Sequence, residues 1–339
     1  MDAIVAYDLS KQYGERIALC GLNLQIPQGS IFACVGGEQS GKTTMVRLLS
    51  GLCRPTMGEC TVMGYSPGVE PERLHTVSGT VLETARLYGQ MTLSANLNFF
   101  AAVNGIDSND AIDRSSFLMH KLDIWEGREE KVSDLSTGMV RRASLARALM
   151  HRPQVLLIDE PAGGIDQETM DRTQELISYL REEEGVTVLL CTRNLAYAQL
   201  LCSGFAILRQ GSLLAKGDLE SLRKAAGLKY RAAFRFAGEE DPPGGFYWMD
   251  GFWQKNIEAE SDMPRLVSEA VSSGKRVYEA KLLKPTLEEI YKAYIDGGMK
   301  NGGETFGEER TEEGVTSATR ESTEEFLSEE EGGGGAEEG

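Results

Sequence analysis

Short apolar runs of strand character recur through the first 220 residues, each ending at a glycine-rich or acidic turn and separated from the next by a helical stretch. Ile31–Val35 runs into Gly36-Gly37, Val155–Ile158 into Asp159-Glu160, and Val186–Cys191 into Thr192-Arg193-Asn194. Apolar runs without polar alternation fit strands buried on both faces, so the pattern predicts an α/β core in which helices cover a parallel sheet. Ligands of such sheets gather at the carboxyl ends of the strands, which directs attention to the residues just after each run.

Between about 88 and 150 the pattern turns helical without long strand runs, with windows at Leu93–Val103 and Ser136–Met150, and this predicts a helical insertion in the core. Beyond Leu222 a third composition begins, with Phe246-Tyr247-Trp248 and Phe252-Trp253, a helix-like Arg265–Ser272 and a strand-like Val277-Tyr278. Thr286-Leu287-Glu288-Glu289 reads as a capping box opening a last helix. The expected organisation is a main domain over 1–221 containing the helical subdomain, a small α+β accessory domain over 222–299 with the aromatic cluster as its core, and a tail over 300–339.

Charge sharpens that division. The net charge is −17, but from Asn301 to Gly339 thirteen Glu face two Arg, a balance of −11 that leaves −6 for the first 300 residues. The tail, rich in Glu, Gly, Ser and Thr, has too few large apolar residues to offset the entropy of ordering and is expected to be disordered. No stretch approaches the roughly 18 to 20 apolar residues of a membrane span, and Met1-Asp2 opens no basic-then-apolar leader, so a protein neither spanning nor secreted is expected. The acidic balance would argue against a nucleic-acid partner, but most of the excess sits in the tail; no nucleic-acid partner is expected. Six scattered cysteines without a Cys-x-x-Cys pair fit reduced thiols rather than metal ligands.

Two motifs carry chemistry. Gly36-Gly37-Glu38-Gln39-Ser40-Gly41-Lys42-Thr43 is a GxxxxGK[ST] loop between a strand and a helix, followed by Thr44. Its backbone amides and the helix amino terminus suit phosphates, Lys42 supplies charge to the β and γ phosphates, and Thr43 offers a hydroxyl to Mg2+. The strand Val155–Ile158 delivers Asp159, placed to hold Mg2+, and Glu160, placed to polarise an attacking water. These motifs alone fit kinases, GTPases, helicases and transport ATPases; a guanine-reading Asn-Lys-x-Asp segment is absent.

Leu135-Ser136-Thr137-Gly138-Met139, about twenty residues before Asp159, resembles the signature segment of the ABC ATPase family. The resemblance covers most of residues 3 to 220 and implies a P-loop NTPase with a mixed sheet, closed by strands within Phe205–Gly217. It also implies two ATP sites shared between protomers, in which Ser136 and Gly138 of one chain face the P-loop of the other. Tyr13 matches the aromatic residue that stacks on adenine, and Asp166 the loop that crosses the dimer interface. The Thr-Gly of the signature, the pattern around Leu87 to Phe100 and Lys284-Pro285-Thr286-Leu287-Glu288-Glu289 resemble the ATPase subunits of bacterial drug, antibiotic or sodium exporters. That likeness implies a separate membrane permease as partner, a homodimer or a heterodimer with another ABC ATPase, and a place on the cytoplasmic face of the membrane.

The chain departs from the family at three positions. Gln39 stands where glycine is usual, Glu83 aligns with a glutamine that contacts Mg2+, and Arg193 replaces the histidine that reaches the γ-phosphate. A carboxylate at 83 remains a hard oxygen ligand. Arg193 can hydrogen-bond phosphate but offers no acceptor, so hydrolysis slowed by some 10- to 1000-fold is expected, with a catalytically attenuated subunit beside an active partner as the alternative to a full transport ATPase. His75, His120 and His151 are not placed to substitute and read as structural or surface residues.

Overall fold

The computed structural model describes residues 1–82, 87–160, 167–237 and 244–297. In chain order the strands are β1 (Asp2–Tyr13), β2 (Arg16–Pro27), β3 (Ile31–Val35), β4 (Met57–Val62), β5 (Ser78–Val81), β6 (Val155–Asp159) and β7 (Thr187–Thr192). They continue with β8 (Gly204–Arg209), β9 (Ser212–Gly217), β10 (Tyr230–Phe236), β11 (Tyr247–Met249), β12 (Phe252–Ile257) and β13 (Val277–Leu283). The helices are α1 (Lys42–Leu49), α2 (Pro71–Val77), α3 (Leu93–Val103), α4 (Ser108–Lys121) and α5 (Thr137–Leu149). After them come α6 (Gln167–Glu183), α7 (Leu195–Leu201), α8 (Leu219–Ala225), α9 (Asp262–Ser272) and α10 (Leu287–Asp296).

The central sheet runs β5-β6-β7-β3-β8-β9, parallel throughout except where β9 closes antiparallel on β8. This is the mixed α/β sheet that the apolar runs and the family likeness implied. Every residue of β3, β6 and β7 is buried, and alternate side chains serve opposite cores. Val35, Leu156, Ile158, Val188 and Leu190 join a cluster with α3 to α6, whereas Cys34, Val155, Leu157, Leu189 and Cys191 join one with α1, β1 and β2. Burial on both faces is why these strands read as unbroken apolar runs.

A second sheet, β2-β1-β4, is antiparallel and covers the α1 side. None of its strands entered the sequence reading: in β1 register shifts and Asp8 at φ 46° break the period of two, whereas β2 keeps the alternation in Leu22, Leu24 and Ile26 and was passed over. The third sheet, β11-β12-β10-β13, is antiparallel and carries its own apolar cluster with α9. The aromatic residues expected to form that core divide: Phe246 packs against Phe234 and Phe236, whereas Tyr247 and Trp248 lie 40% and 58% exposed on the edge strand β11. The capping box at Thr286 is complete in both directions, and α10 buries Leu287, Ile290 and Tyr294 in the main core rather than against the third sheet. The expected tail, 300–339, lies outside the described residues.

Cys20, Cys34, Cys53, Cys60, Cys191 and Cys202 are free, and burial raises the thiols of Cys60 and Cys202 to about 11 and about 12. Among the described residues no group of three His, Cys, Asp or Glu side chains could hold a metal ion. No helix among them is long and apolar enough to cross a membrane. His75 and His151 donate to the Ser50 and Ser78 carbonyls, and His120 stacks on Trp125.

A buried ion pair helps tie the helical insertion to the core. Arg114 of α4 is 3% exposed and meets Glu184, just past α6, in a bidentate pair at 2.7 and 3.0 Å, while its Nε donates to the Leu149 carbonyl. Removing the carboxylate strands a buried guanidinium, a defect that costs about 3 kcal/mol. Glu184→Ala is therefore expected to lower the thermal midpoint clearly, and denaturant titration of the two proteins measures the loss.

Candidate functional site

The parallel register sets the ends of three strands level. Cys34 of β3 pairs with Cys191 of β7, which pairs in turn with Asp159 of β6. The segments that leave these ends carry the P-loop, Glu160 and Arg193, and the structure brings the three together.

The P-loop geometry explains its glycines. A methyl group at Gly36 would lie 2.5 Å from the Leu208 carbonyl oxygen and one at Gly41 2.7 Å from that of Ala18, and Gly41 takes φ 103° at the α1 N-cap. A methyl at Gly37 would meet only the Tyr291 hydroxyl, 3.8 Å away. Gln39 holds φ 59°, a left-handed conformation that favours glycine, so the side chain at the fourth loop position is accommodated at a strain of about 1 kcal/mol. Lys42 is 6% exposed and folds back over the loop, its Nζ donating to the Gly36 and Gly37 carbonyls at 2.7 and 2.9 Å and to Ser40 Oγ at 3.2 Å.

Beside the loop, Tyr13, Arg16, Gln39, Ser40, Lys42 and Thr43 line part of a cleft of about 440 Å³ that Thr44 and Arg47 complete. Tyr13 is 41% exposed there, its hydroxyl 3.6 Å from Cys53 Sγ. Tyr13, the cations Arg16, Lys42 and Arg47 and the close-packed loop glycine Gly41 thus meet in one cleft.

The other half of the site is the end of β6. Asp159 is 2% exposed and Glu160, at φ 52°, is 8% exposed. Glu160 Oε2 accepts from the Arg193 backbone amide at 3.2 Å and from Thr192 Oγ1 at 3.4 Å. Its Oε1 lies 3.7 Å from Lys42 Nζ and 3.3 Å from Arg193 Nε. Arg193 continues to Glu38, with NH1 at 2.7 Å from Oε1. Arg193 thus bridges the P-loop and the end of β6.

Ser136 caps α5, its hydroxyl accepting from the Met139 amide at 3.2 Å, and is exposed, whereas Gly138 is buried. Neither lines the cleft beside the P-loop among the described residues. Glu83 and Asp166 lie outside the described residues. The sequence reading missed Arg141, whose NH1 donates to the Glu160 carbonyl at 3.5 Å from within α5, and Tyr291, which α10 brings to Gly37. Only their long-range contacts distinguish them, and no spacing rule points to either.

A tight glycine loop between a parallel strand and a helix, with a lysine at its close and two acidic residues at the end of the parallel strand two places away, defines a P-loop nucleoside triphosphatase. The family model described as ABC transporter matches residues 19–163. The linearmycin resistance ATP-binding protein LnrL of Bacillus subtilis (strain 168) is 30% identical over 217 residues, 64% of this chain and 70% of that protein. The daunorubicin resistance ATP-binding protein DrrA3 of Streptomyces coeruleorubidus is 28% identical over 306 residues, 85% of this chain and 94% of its own. Among solved structures, an ATP-binding subunit of an ABC transporter superposes with a TM-score of 0.63 at 27% identity, covering 67% of this chain and 94% of that one. The chain belongs to the ABC transporter ATP-binding family.

The three loop glycines differ in what a methyl would meet, and so does the expected result. Gly36→Ala and Gly41→Ala each force backbone to move and are expected to destabilise the fold by about 2 kcal/mol or more, whereas Gly37→Ala is expected to melt within a degree or two of wild type. Calorimetric melting of the three variants checks the order.

Proposed function

We propose that this chain is the ATP-hydrolysing subunit of an exporter whose membrane-spanning permease is a separate protein. The observation that carries the reading is Glu160, held between Lys42 of the P-loop and Arg193 just past β7, with Asp159 immediately before it. Tyr13 takes the adenine and the loop amides take the phosphates, with Thr43 and Asp159 as the oxygen ligands for Mg2+. Two such ligands, with the remaining positions left to phosphate oxygens and water, are the usual protein share of a magnesium site. When bound, Mg2+ would supply neutralisation of phosphate charge.

Chemistry by the chain's own groups then follows from position. Lys42 exchanges its loop carbonyls for phosphate oxygens, and Glu160 orients the attacking water and accepts its proton on a carboxylate oxygen. Ser136 and the amino end of α5 complete the site from a second protomer, identical or related. Their exposed position away from the P-loop cleft of their own chain supports this arrangement, as does a bacterial ABC transporter cassette solved as a dimer, 25% identical with a TM-score of 0.59 over 64% of this chain and 98% of its own.

For the permease, the groove between α3 and the end of β5 is the favoured seat. It encloses about 420 Å³ beside Phe100, Leu52 and Arg147. Tyr88, Phe99, Leu52 and Val103 expose 40% to 66% of their surface around it. Docking there places the chain on the cytoplasmic face of a membrane, and the permease rather than this chain selects the cargo.

A second reading has its own observation. Arg193 is engaged with both Glu38 and Glu160, and a guanidinium lacks the acceptor that a neutral histidine offers. That favours a subunit which binds ATP and closes but turns over slowly, in partnership with an active ATPase. Steady-state hydrolysis with Mg2+ separates the two. A transport ATPase is expected to lose 10²- to 10⁴-fold in turnover on Glu160→Gln. An attenuated one is nearly silent as wild type and gains 10- to 1000-fold on Arg193→His, about 1.4 to 4 kcal/mol of barrier. Silence in both proteins contradicts both readings.

A further inference from the structure

Arg193 has two carboxylate partners, and only one of them belongs to the hydrolytic machinery. Glu160 lies at a buried strand end, whereas Glu38 stands on the P-loop with its side chain 78% exposed and reaches Arg193 NH1 at 2.7 Å. Lys42 is taken up by the Gly36 and Gly37 carbonyls, Ser40 Oγ and Glu160. The Arg193 backbone is fixed by its own amide on Glu160 Oε2, so the guanidinium pivots from a set point between the loop and the end of β6.

We propose that Glu38 is a specificity gate at the γ-phosphate end of the site, a carboxylate that holds Arg193 until a third phosphate takes it over. The inference rests on the nucleotide-site reading above. A guanidinium binds carboxylate and phosphate oxygens with the same planar fork, so the two anions compete for one cation. A triphosphate places charge where Arg193 can exchange Glu38 for it, whereas a diphosphate leaves the Arg193–Glu38 pair intact. The exposed pair is a weak one, which suits a group that must let go: its strength corresponds to about a 2- to 5-fold effect on binding. Glu38 therefore lowers affinity for the triphosphate and leaves the diphosphate nearly untouched, narrowing the preference between them.

Equilibrium titration calorimetry with the non-hydrolysable triphosphate AMP-PNP and with ADP, both with Mg2+, tests the gate on wild type, Glu38→Gln, Arg193→Gln and the double variant. Glu38→Gln is expected to bind AMP-PNP about 2- to 5-fold more tightly and ADP essentially as before, and the gain is expected to shrink in the Arg193→Gln background. Three results would overturn the proposal: no gain for AMP-PNP, an equal gain for both nucleotides, or the same gain with and without Arg193. Absence of binding of either nucleotide to wild type removes the underlying nucleotide-site reading, and the gate with it. Glu38 is exposed, so its amide variant is expected to fold, and a melting curve recorded beside each titration confirms it.

Discussion

Cys34, Cys191 and Asp159 lie level with one another across three parallel strands, and the rest of the molecule serves to keep them so. Parallel pairing leaves no freedom to slide once alternate side chains are committed to opposite cores, because a shift of one residue would exchange every inward position. Leu156 and Ile158 face the helices of the insertion, Val155 and Leu157 face α1 and the antiparallel sheet, and neither cluster can spare them. The chain segments that emerge at the common edge are consequently held within a few ångströms of one another, although Glu38 of the P-loop is 155 positions from Arg193, and Glu160 is 33.

At that edge the protein has concentrated charge. Lys42, Glu160, Arg193 and Glu38 form a continuous chain of ion pairs from the interior of the P-loop to solvent. The inner members are nearly buried and the outer ones exposed, so the inner pairing is strong and persistent while the outer one yields readily. In the proposed gate, a phosphate group entering the loop competes first with the weak end of this chain. Strain adds to the picture: Gln39 and Glu160 both hold positive φ, and non-glycine residues in that region persist only where surrounding structure fixes them.

How much of this was legible in the sequence differs by element. The P-loop, the acidic strand end and the signature segment that opens a helix at Ser136 are local patterns, each encoded within fewer than ten consecutive residues, and each lies where its pattern implied. α3 begins and ends at the residues its apolar pattern marked. By contrast, β1 and β4 were hidden by bulges that break alternation. The pairing of Arg193 with Glu38 spans 155 positions and leaves no periodic trace. Tyr291 reaches Gly37 only because α10 returns from the third sheet to pack in the main core. Local chemistry was readable from residue types at fixed spacing; the partners that tune it come from tertiary packing, which a single sequence does not display.

The claim on which everything else depends is that the cleft beside Tyr13 and the P-loop binds ATP through Lys42. Equilibrium dialysis of radiolabelled ATP against wild type and Lys42→Ala measures it directly. Saturable binding by the wild type that weakens about 100-fold or more in the variant, roughly 2.7 kcal/mol, is the expected result. Binding of equal strength in both proteins, or no saturable binding in the wild type, would contradict the account.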